Sequence, residues 1–459
     1  MHTRVILDRT FIKRILMLAL PVALQTLLQS MLGMADVLMV GVLGDTAIAA
    51  VGLATKIHFL LYVSMVGLSA SAAVLVAQYY GANKTEEYQK VIAKALILGS
   101  WVMLPLSFLC LLTADVWMSW ITADPEVSVI AAQYMKITAP ILIITQIISI
   151  YESGLRSLGN TTFPLIAATI AVAINVCLNY LLIFGALGFP ELGVSGAAWG
   201  TLISRSIQFT IMVVWIYRTR HHFAISLAKF KQVFDWPQLH VFVVFALPVI
   251  GNHMLWAIGN TVYHVLTGFT GTDALAVMGV MVPIELCFLS VFLGLANASS
   301  IMIGQSLGAD RLDYAWDLFH FFERLAIGLG LGMSLLLWLS IDYVVAMYAN
   351  LDSSTQQLLS GVLTIFCVGI GLKILNLLRL AGILRAGGDN RFCLMLDVSV
   401  MWGIGLPIFA LAVSFGNFSF LWIYSLMFLE EAIKFIPARM RIISKKWLVN
   451  LTHKNIELS

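Results

Sequence analysis

A single carboxylate inside a long apolar stretch is the residue with the clearest capacity for chemistry. Asp36 lies in a run of mainly apolar residues from about 14 to 41, and Pro21 precedes it in the same run. A charged aspartate at the centre of a membrane helix costs roughly 2.5–3.5 kcal/mol on insertion scales, so we expect Asp36 to face a polar cavity and to bind a proton or a monovalent cation. A structural aspartate, hydrogen-bonded near the end of its helix, is the alternative. Because proline removes a backbone hydrogen bond and bends a helix, we predict that the charge of Asp36 is coupled to the shape of this helix.

Two asparagines and a threonine in later apolar stretches are the expected partners of Asp36. Asn175 and Asn179 are separated by one helical turn, which places them on one face of a helix. Thr201 lies in the following stretch and adds a hydroxyl. Buried amides and hydroxyls are almost always hydrogen-bonded, so packing against Asp36 would satisfy all three. The alternative is ordinary polar packing between helices, without ion binding.

The second half of the chain carries charges of both signs within its apolar stretches. Glu285, Lys373 and Glu430 are the main examples, and charges buried in a membrane normally pair with one another. We predict that these three residues form a network. Whether that network takes part in ion coupling or only stabilises the fold stays open at this point.

The methionines next to Asp36 and two aromatic residues of the seventh stretch are candidates for the wall of a substrate cavity. They are Met31, Met34, Trp256 and Tyr263. Methionine adapts to apolar ligands of varied shape, although lipid-facing packing is the alternative for each residue. The sequence contains no phosphate-binding loop, zinc-ligand spacing or nucleophile motif. We therefore predict no catalytic residues, no cofactor and no enzyme activity, and an ion gradient as the energy source.

The composition places most of the chain in a lipid bilayer. It is 60% hydrophobic and 11% charged, whereas soluble proteins carry about 25% charged residues. Twelve stretches reach the roughly 20 apolar residues that a spanning helix needs. They lack the polar–apolar alternation of membrane β-barrels, so we predict an all-α integral membrane protein with twelve transmembrane helices. The stretches lie at roughly 14–41, 46–80, 88–113, 128–157, 163–186, 193–218, 239–268, 274–306, 316–348, 354–386, 392–414 and 418–442.

The distribution of basic residues predicts the orientation of these helices. Lysine and arginine cluster at the N-terminus and after the even-numbered stretches, whereas the opposite loops, such as 42–46 and 114–127, contain none. Positively charged loops stay in the cytoplasm. We therefore predict a multi-pass protein of the plasma (inner) membrane with both termini in the cytoplasm.

The chain repeats itself imperfectly at an offset of 227 residues. Ala19–Val22 recurs as Ala246–Val249, and Gly67 recurs as Gly294. A repeat of this length predicts two similar helical units, and transporters built in this way bind their substrates where the repeats meet.

The repeat predicts two lobes of six helices each. We assign residues 1–217 to the first lobe, 218–238 to a polar cytoplasmic linker, and 239–459 to the second lobe with its cytoplasmic tail. Because six is an even number, both lobes have the same orientation and are related by a pseudo-two-fold axis along the membrane normal. Asp36 has Tyr263 as its counterpart, so the expected ion pocket belongs to the first lobe alone.

The ordered combination of these features resembles the multidrug and toxic compound extrusion (MATE) transporters. The resemblance rests on Pro21 and Asp36 in the first helix and on Gln-x-x-Gly at Gln78 and Gln305. It also rests on a Leu-Arg-x-x-Gly-[Asn/Asp] turn that contains Arg156 in the first half and recurs in the second. It extends over almost the whole chain. From the residues alone, this turn is expected to be structural, with the arginine bonded to helix carbonyls or to lipid phosphate.

The resemblance implies an ion pocket and a transport activity. The positions that match the family's first-lobe cation pocket are Asp36, Asn175, Asn179 and Thr201, and Asn179 replaces a carboxylate that some relatives carry. The implied function is a secondary active exporter that exchanges cationic or amphipathic organic compounds for H⁺, or for Na⁺ bound at Asp36, by rocking of its two lobes. The alternative is a flippase for lipid-linked precursors from the same superfamily. The expected partners are the lipid bilayer and small organic substrates, without nucleic acid, and a monomer is expected.

Overall fold

The structure, a computed structural model, describes residues 8–348, 351–415 and 418–453, and this part of the chain contains helices and no β-strand. The helices are α1 (Arg9–Gly41), α2 (Asp45–Gly81), α3 (Thr85–Ile121), α4 (Pro125–Thr138), α5 (Ile141–Ser157), α6 (Thr162–Phe184), α7 (Val194–Arg218), α8 (Leu227–Val233), α9 (Trp236–Gly268), α10 (Thr272–Gly308), α11 (Leu312–Met347), α12 (Ser353–Leu377), α13 (Asn390–Val400), α14 (Leu406–Ser414) and α15 (Phe420–Ile443). A π-helix follows α12 at Leu378–Leu384, and another joins α13 to α14 at Met401–Gly405.

Ten helical segments of the described chain are long and apolar enough to cross a membrane. α4 and α5 form an eleventh span across a bend of 46°. The last predicted span is α15, whose 24 residues extend over about 36 Å at 1.5 Å per residue. Its central part contains three charged residues, Glu430, Glu431 and Lys434. The all-α membrane fold predicted from the sequence is confirmed.

Large apolar side chains cover the outside of the long helices. On α11, for example, Leu331, Leu336 and Trp338 are exposed to 68%, 66% and 56%. In water such a surface would be unfavourable, because burying apolar area is the main driving force of folding. Lipid contact accounts for it, since lipid tails are as apolar as leucine.

The chain divides into two compact units. The first unit contains residues 24–250, and the second contains residues 8–23 together with those from 251 to 453. The two divisions fall after Ala23 and after Ile250, and these positions differ by 227, the offset of the repeat. The units depart from the predicted lobes in two segments, because the start of α1 belongs to the second unit and the start of α9 to the first.

In each half, a glycine of the second helix, α2 or α10, lies in close contact with one of these two segments, the start of α9 or the start of α1. A Cβ atom on Gly67 would lie 2.6 Å from Cα of Ile250 in the first unit. A Cβ atom on Gly294 would lie 2.4 Å from the carbonyl oxygen of Ala19 in the second unit. No side chain fits at such distances, so both positions require glycine for this packing.

The linker predicted at 218–238 folds onto the first unit. Phe223, Ile225 and Val233 are buried, and the hydroxyl of Tyr217 donates to the carbonyl oxygen of Ile225 at 3.1 Å. Ser226 begins α8 by accepting a hydrogen bond from a backbone N–H of its first turn. The linker is therefore a packed segment rather than a free loop.

Candidate ion site

Three helices of the first unit bring the predicted ion-site residues together. Asn179 Nδ2 on α6 donates to Asp36 Oδ1 on α1 at 2.6 Å, and it also lies 3.1 Å from Oδ1 of Asn175. Asn175 Nδ2 is 3.2 Å from Oγ1 of Thr201 on α7. With its amide rotated, Asn175 would instead place its nitrogen 3.1 Å from Asp36 Oδ1. Both arrangements join the four side chains in one cluster.

Small residues set the position of the two asparagines. Asn175 and Asn179 are fully buried on the face of α6 that also contains Ala168 and Ala171. A Cβ atom on Gly200 of α7 would lie 2.2 Å from Oδ1 of Asn179. This glycine therefore lets α7 approach α6 closely enough to fix the asparagine amide. The Asn179 Oδ1 atom is itself buried, and no residue of the described chain donates a hydrogen bond to it.

Asp36 and Thr201 line a cavity of about 280 Å³ inside the first unit. The other polar residues of its wall include Tyr62, Tyr134, Glu152 and Arg205. The cavity therefore contains charges of both signs and several hydroxyl groups, which is the chemistry expected of a site for a cation or a protonated amine.

A second buried carboxylate in this cavity was missed by the sequence reasoning. Glu152 on α5 is 6% exposed. Its oxygens accept hydrogen bonds from Gln25 at 2.9 Å and from Gln208 at 3.1 Å, and Arg156 lies 3.9 Å away. Arg205 donates to Oε1 of Gln208 at 2.9 Å and so extends this network. The sequence signal was the spacing of Glu152 and Arg156, an acid and a base one helical turn apart in an apolar stretch.

The three charges predicted to form one network fall into two ion-pair groups of the second unit. Glu285 and Lys373 are directly paired. Glu430 pairs instead with Lys434, which lies 3.0 Å from Asp397. Among the ion pairs of the described residues, none joins Glu285 and Lys373 to Glu430. Glu430 has Lys434, one turn away on the same helix, as its ion-pair partner, and a network that includes all three predicted residues stays a prediction.

Tyr263 is not among the described residues that line the cavity of Asp36. It is 3% exposed and donates from its hydroxyl to Glu430 Oε2 at 3.0 Å. Its ring packs edge-on against Phe409 at 5.0 Å. The tyrosine that replaces Asp36 in the repeat is therefore a packing residue that satisfies a buried carboxylate.

The other predicted wall residues lie on exposed helix surfaces. Met31 and Met34 on α1 are exposed to 57% and 49%, and Trp256 on α9 is exposed to 44%. They do not contribute to the wall of the cavity that Asp36 lines in the described part of the chain. Pro21 lies within α1, and Gln25, which binds Glu152, follows it by one helical turn.

Comparison with known proteins detects the same two halves that the repeat defines in the sequence. The sequence profile of the MatE family matches residues 21–181 and again residues 248–411. The chain belongs to the MatE family. Members of this family are transporters rather than enzymes. Each of the two MatE matches begins at a proline, Pro21 or Pro248, and these two positions differ by the repeat offset of 227.

Several relatives in the MatE family match along most of the chain. An uncharacterized transporter of Bacillus subtilis, YisQ, is 24% identical over 89% of this chain and 89% of its own. A probable multidrug resistance protein NorM of Bacillus anthracis is 26% identical over 95% of this chain and 96% of its own. The corresponding NorM of Rhizobium meliloti is 29% identical over 65% of this chain and 64% of its own.

Solved structures of MatE-type transporters share the fold. A transporter of the MOP superfamily from Pyrococcus furiosus superposes with a TM-score of 0.84 at 19% identity, covering 95% of this chain and 96% of that chain. A mutant of the MATE transporter VcmN of Vibrio cholerae gives a TM-score of 0.85 at 18% identity, covering 96% and 98%. At these identities the superpositions establish the fold, and the chemistry of the site is argued from the residues present here.

Proposed function

We propose that this protein is a secondary active multidrug exporter, which exchanges cationic or amphipathic organic compounds for H⁺ or Na⁺. The observation that carries the proposal is the hydrogen-bonded cluster of Asp36, Asn175, Asn179 and Thr201. Two of its members, Asp36 and Thr201, line a cavity in the first unit. The names of the NorM relatives, probable multidrug resistance proteins, support export of organic compounds. We place the protein in the inner membrane as a monomer with both termini in the cytoplasm.

The contacts of Asp36 favour a proton as the coupling ion. The donor set, one carboxylate with amide and hydroxyl oxygens, suits a hard monovalent cation such as Na⁺, and the unpartnered Oδ1 of Asn179 is a further oxygen at the site. However, Asp36 Oδ1 already accepts a hydrogen bond from Asn179 at 2.6 Å. A sodium ion that binds Oδ1 competes with this N–H donor, whereas a proton binds the carboxylate without requiring a coordination shell.

The proposed transport cycle links the charge of Asp36 to the shape of α1. A proton that enters from outside neutralises Asp36 and removes the charge-assisted part of its bond to Asn179. The neutral side chain no longer requires that partner, so α1 is free to change its bend at Pro21. Rocking of the lobes then carries the organic compound outward, in the alternating-access scheme of repeat-built transporters.

A flippase for lipid-linked precursors is the alternative function. Such a protein needs excess positive charge to hold a pyrophosphate group. Arg205 lines the cavity and Arg156 borders it, but the carboxylates of Asp36 and Glu152 balance these two charges. The balanced charge supports organic cations over pyrophosphate as the substrate class.

The test uses inverted membrane vesicles that contain the protein. Either a pH gradient or a Na⁺ gradient is imposed across the vesicle membrane. We expect a cationic fluorescent dye to accumulate in the vesicles when the inside is acidic, and not when Na⁺ alone is imposed. Dye movement with the Na⁺ gradient alone would replace H⁺ by Na⁺ in the proposal. Absence of dye movement with either gradient, together with translocation of a lipid-linked precursor, would favour the flippase.

A further inference from the structure

The arginine of the repeated turn contacts the first helix of its own half in the first unit. Arg156 Nη1 donates to Gln25 Oε1 at 3.5 Å, and Gln25 Nε2 donates to Glu152 Oε2 at 2.9 Å. Arg156 and Glu152 close the set with an N···O distance of 3.9 Å. We name this arrangement, an arginine and a carboxylate joined through a side-chain amide, the amide clamp. Gln25 follows Pro21 by one helical turn, so the clamp holds α1 directly after its proline.

The second unit contains an amide clamp of the same composition. Arg385 donates to Oδ1 of Asn252, and Asn252 Nδ2 donates to Asp397 Oδ2 at 2.7 Å. Asn252 follows Pro248 by one helical turn on α9. This clamp therefore holds the first helix of the second half at the corresponding place.

Two members of the clamps correspond in the repeat and the third does not. Gln25 and Asn252 differ by 227 positions, and the two arginines occupy the repeated turns. The carboxylates come from different helices, Glu152 from α5 and Asp397 from α13. Since the same arrangement is completed by unrelated positions, it reflects a requirement of each half and not only the similarity of the two sequences.

The helix segment around each proline has a second contact of its own. The backbone around Ala19 and Ala23 packs against Gly294, and the backbone of Ile250 packs against Gly67. Each first helix is thus fixed by a glycine contact around its proline and by an amide clamp one turn after it. A change of bend in α1 or α9 must act against the clamp.

We propose that Arg156 and Arg385 are positioning residues for transport, each of which holds the post-proline segment of a first helix through its amide clamp. The proposal rests on the proposed transport function. Gln25 and Asp36 lie on the same helix, so the clamp determines the direction in which α1 brings Asp36 to Asn179. The repeated turn was expected from the sequence to bind helix carbonyls or lipid phosphate, and the clamp gives its arginine a more specific role.

The first test separates transport rate from substrate binding in reconstituted proteoliposomes. Arg156→Gln and Gln25→Leu are expected to lower the maximal rate of dye efflux about tenfold, while the dissociation constant of the dye in detergent stays within about twofold. Arg156→Lys, which keeps the charge, should recover part of the rate. Arg218→Gln is the matched control, because Arg218 is an exposed arginine on the same unit, and it should transport like the parent. Full efflux in both Arg156→Gln and Gln25→Leu would overturn the proposal.

The second test measures position directly and does not depend on transport. Spin labels replace Leu38 on α1 and Trp120 on α3, which are 71% and 82% exposed in the first unit, in a cysteine-free background. We expect Arg156→Gln to shift or broaden the distance distribution, and Arg218→Gln to leave it unchanged. An unchanged distance distribution in Arg156→Gln would contradict the role of the amide clamp, whether or not the parent protein transports the dye. Failure of the parent protein to transport the dye would instead refute the exporter function. If Arg156→Gln aggregates in size exclusion, Gln25→Leu, which keeps every charge, decides the question.

Discussion

At the scale of single residues, the contact between Asp36 and Asn179 is where the proposed cycle has a bound ion change the protein. The 2.6 Å hydrogen bond has an ionised acceptor when Asp36 is charged, and such bonds are roughly twice as strong as neutral ones. Neutralising Asp36 therefore weakens a link between α1 and α6. In the proposed cycle, this difference in strength is the free energy that the coupling ion contributes to a change in helix position.

The substitution Asp36→Asn tests this coupling. The amide keeps the size of the side chain but cannot bind a proton, so we expect dye efflux to fall at least about a hundredfold, the scale of a lost proton-transfer group. Measurement of efflux from energised vesicles checks it. Asp45→Asn, which changes an exposed aspartate at the start of α2, is the control and should keep its activity. Normal efflux in Asp36→Asn would refute the mechanism.

Gly200→Ala tests whether the position of Asn179 matters. A Cβ atom would lie 2.2 Å from Asn179 Oδ1, so the asparagine must move away from Asp36 or α7 must shift. We expect strongly reduced efflux with normal membrane insertion. Gly33→Ala on α1 is the control, because a Cβ atom there meets nothing within 4 Å. Equal efflux from the two variants would show that the asparagine position is not critical.

The sequence predicted part of this site for physical reasons. The one-turn spacing of Asn175 and Asn179 fixed their common face, and the cost of a carboxylate in lipid required them to meet Asp36. Glu152 escaped prediction, since its partners Gln25 and Gln208 come from α1 and α7, far away in the sequence. Only the packing of the helices brings such distant polar groups together.

At the scale of helices, glycines decide how closely α2 and α10 approach α9 and α1. Gly67 and Gly294 occupy equivalent positions of the repeat, and each lies against the backbone of the first helix of the other half. Gly52 and Gly279 are also equivalent, but a Cβ atom on either one meets nothing within 4 Å. The four glycines therefore allow two positions in close contact with a neighbouring helix to be compared with two positions that have free space around them.

Alanine substitutions at these glycines should give opposite results. Gly67→Ala and Gly294→Ala are expected to destabilise the protein by about 1–3 kcal/mol, the usual cost of overpacking. Gly52→Ala and Gly279→Ala should stabilise it slightly, by up to about 1 kcal/mol, because glycine is a poor helix former. Thermal unfolding in detergent measures both effects. A similar loss of stability in all four variants would show that the contacts are not the cause.

Hydropathy predicted where the spanning helices lie, but it did not predict where those helices bend or change their hydrogen-bond pattern. A window of apolar residues identifies α4 and α5 together as one span, but it carries no signal for the 46° bend between them. The same holds for the π-helices at Leu378–Leu384 and Met401–Gly405. These features depend on which backbone hydrogen bonds neighbouring helices replace, and the hydropathy of a segment is insensitive to that.

At the scale of the whole molecule, the arrangement of charged loops predicts the orientation in the membrane. In a cysteine-free background, Asp124→Cys lies in a loop predicted to be outside, and Arg218→Cys lies at a helix end predicted to be cytoplasmic. We expect a membrane-impermeant maleimide to label the first in intact cells and the second only after the cells are opened. The reverse pattern would invert the predicted topology, and with it the direction of transport.

The start of α1 belongs to the second unit and the start of α9 to the first, and this has a consequence for a protein expressed as two fragments. A cut between Phe234 and Asp235 would give two polypeptides, but each would still supply part of both units. The N-terminal piece carries residues 9–23 of the second unit, and the C-terminal piece carries residues 235–250 of the first. We expect the two fragments, expressed together, to purify as one complex through a tag on either and to restore dye efflux. Fragments that separate in mild detergent would show that continuity of the chain, and not the interleaving of its helices, keeps the transporter assembled.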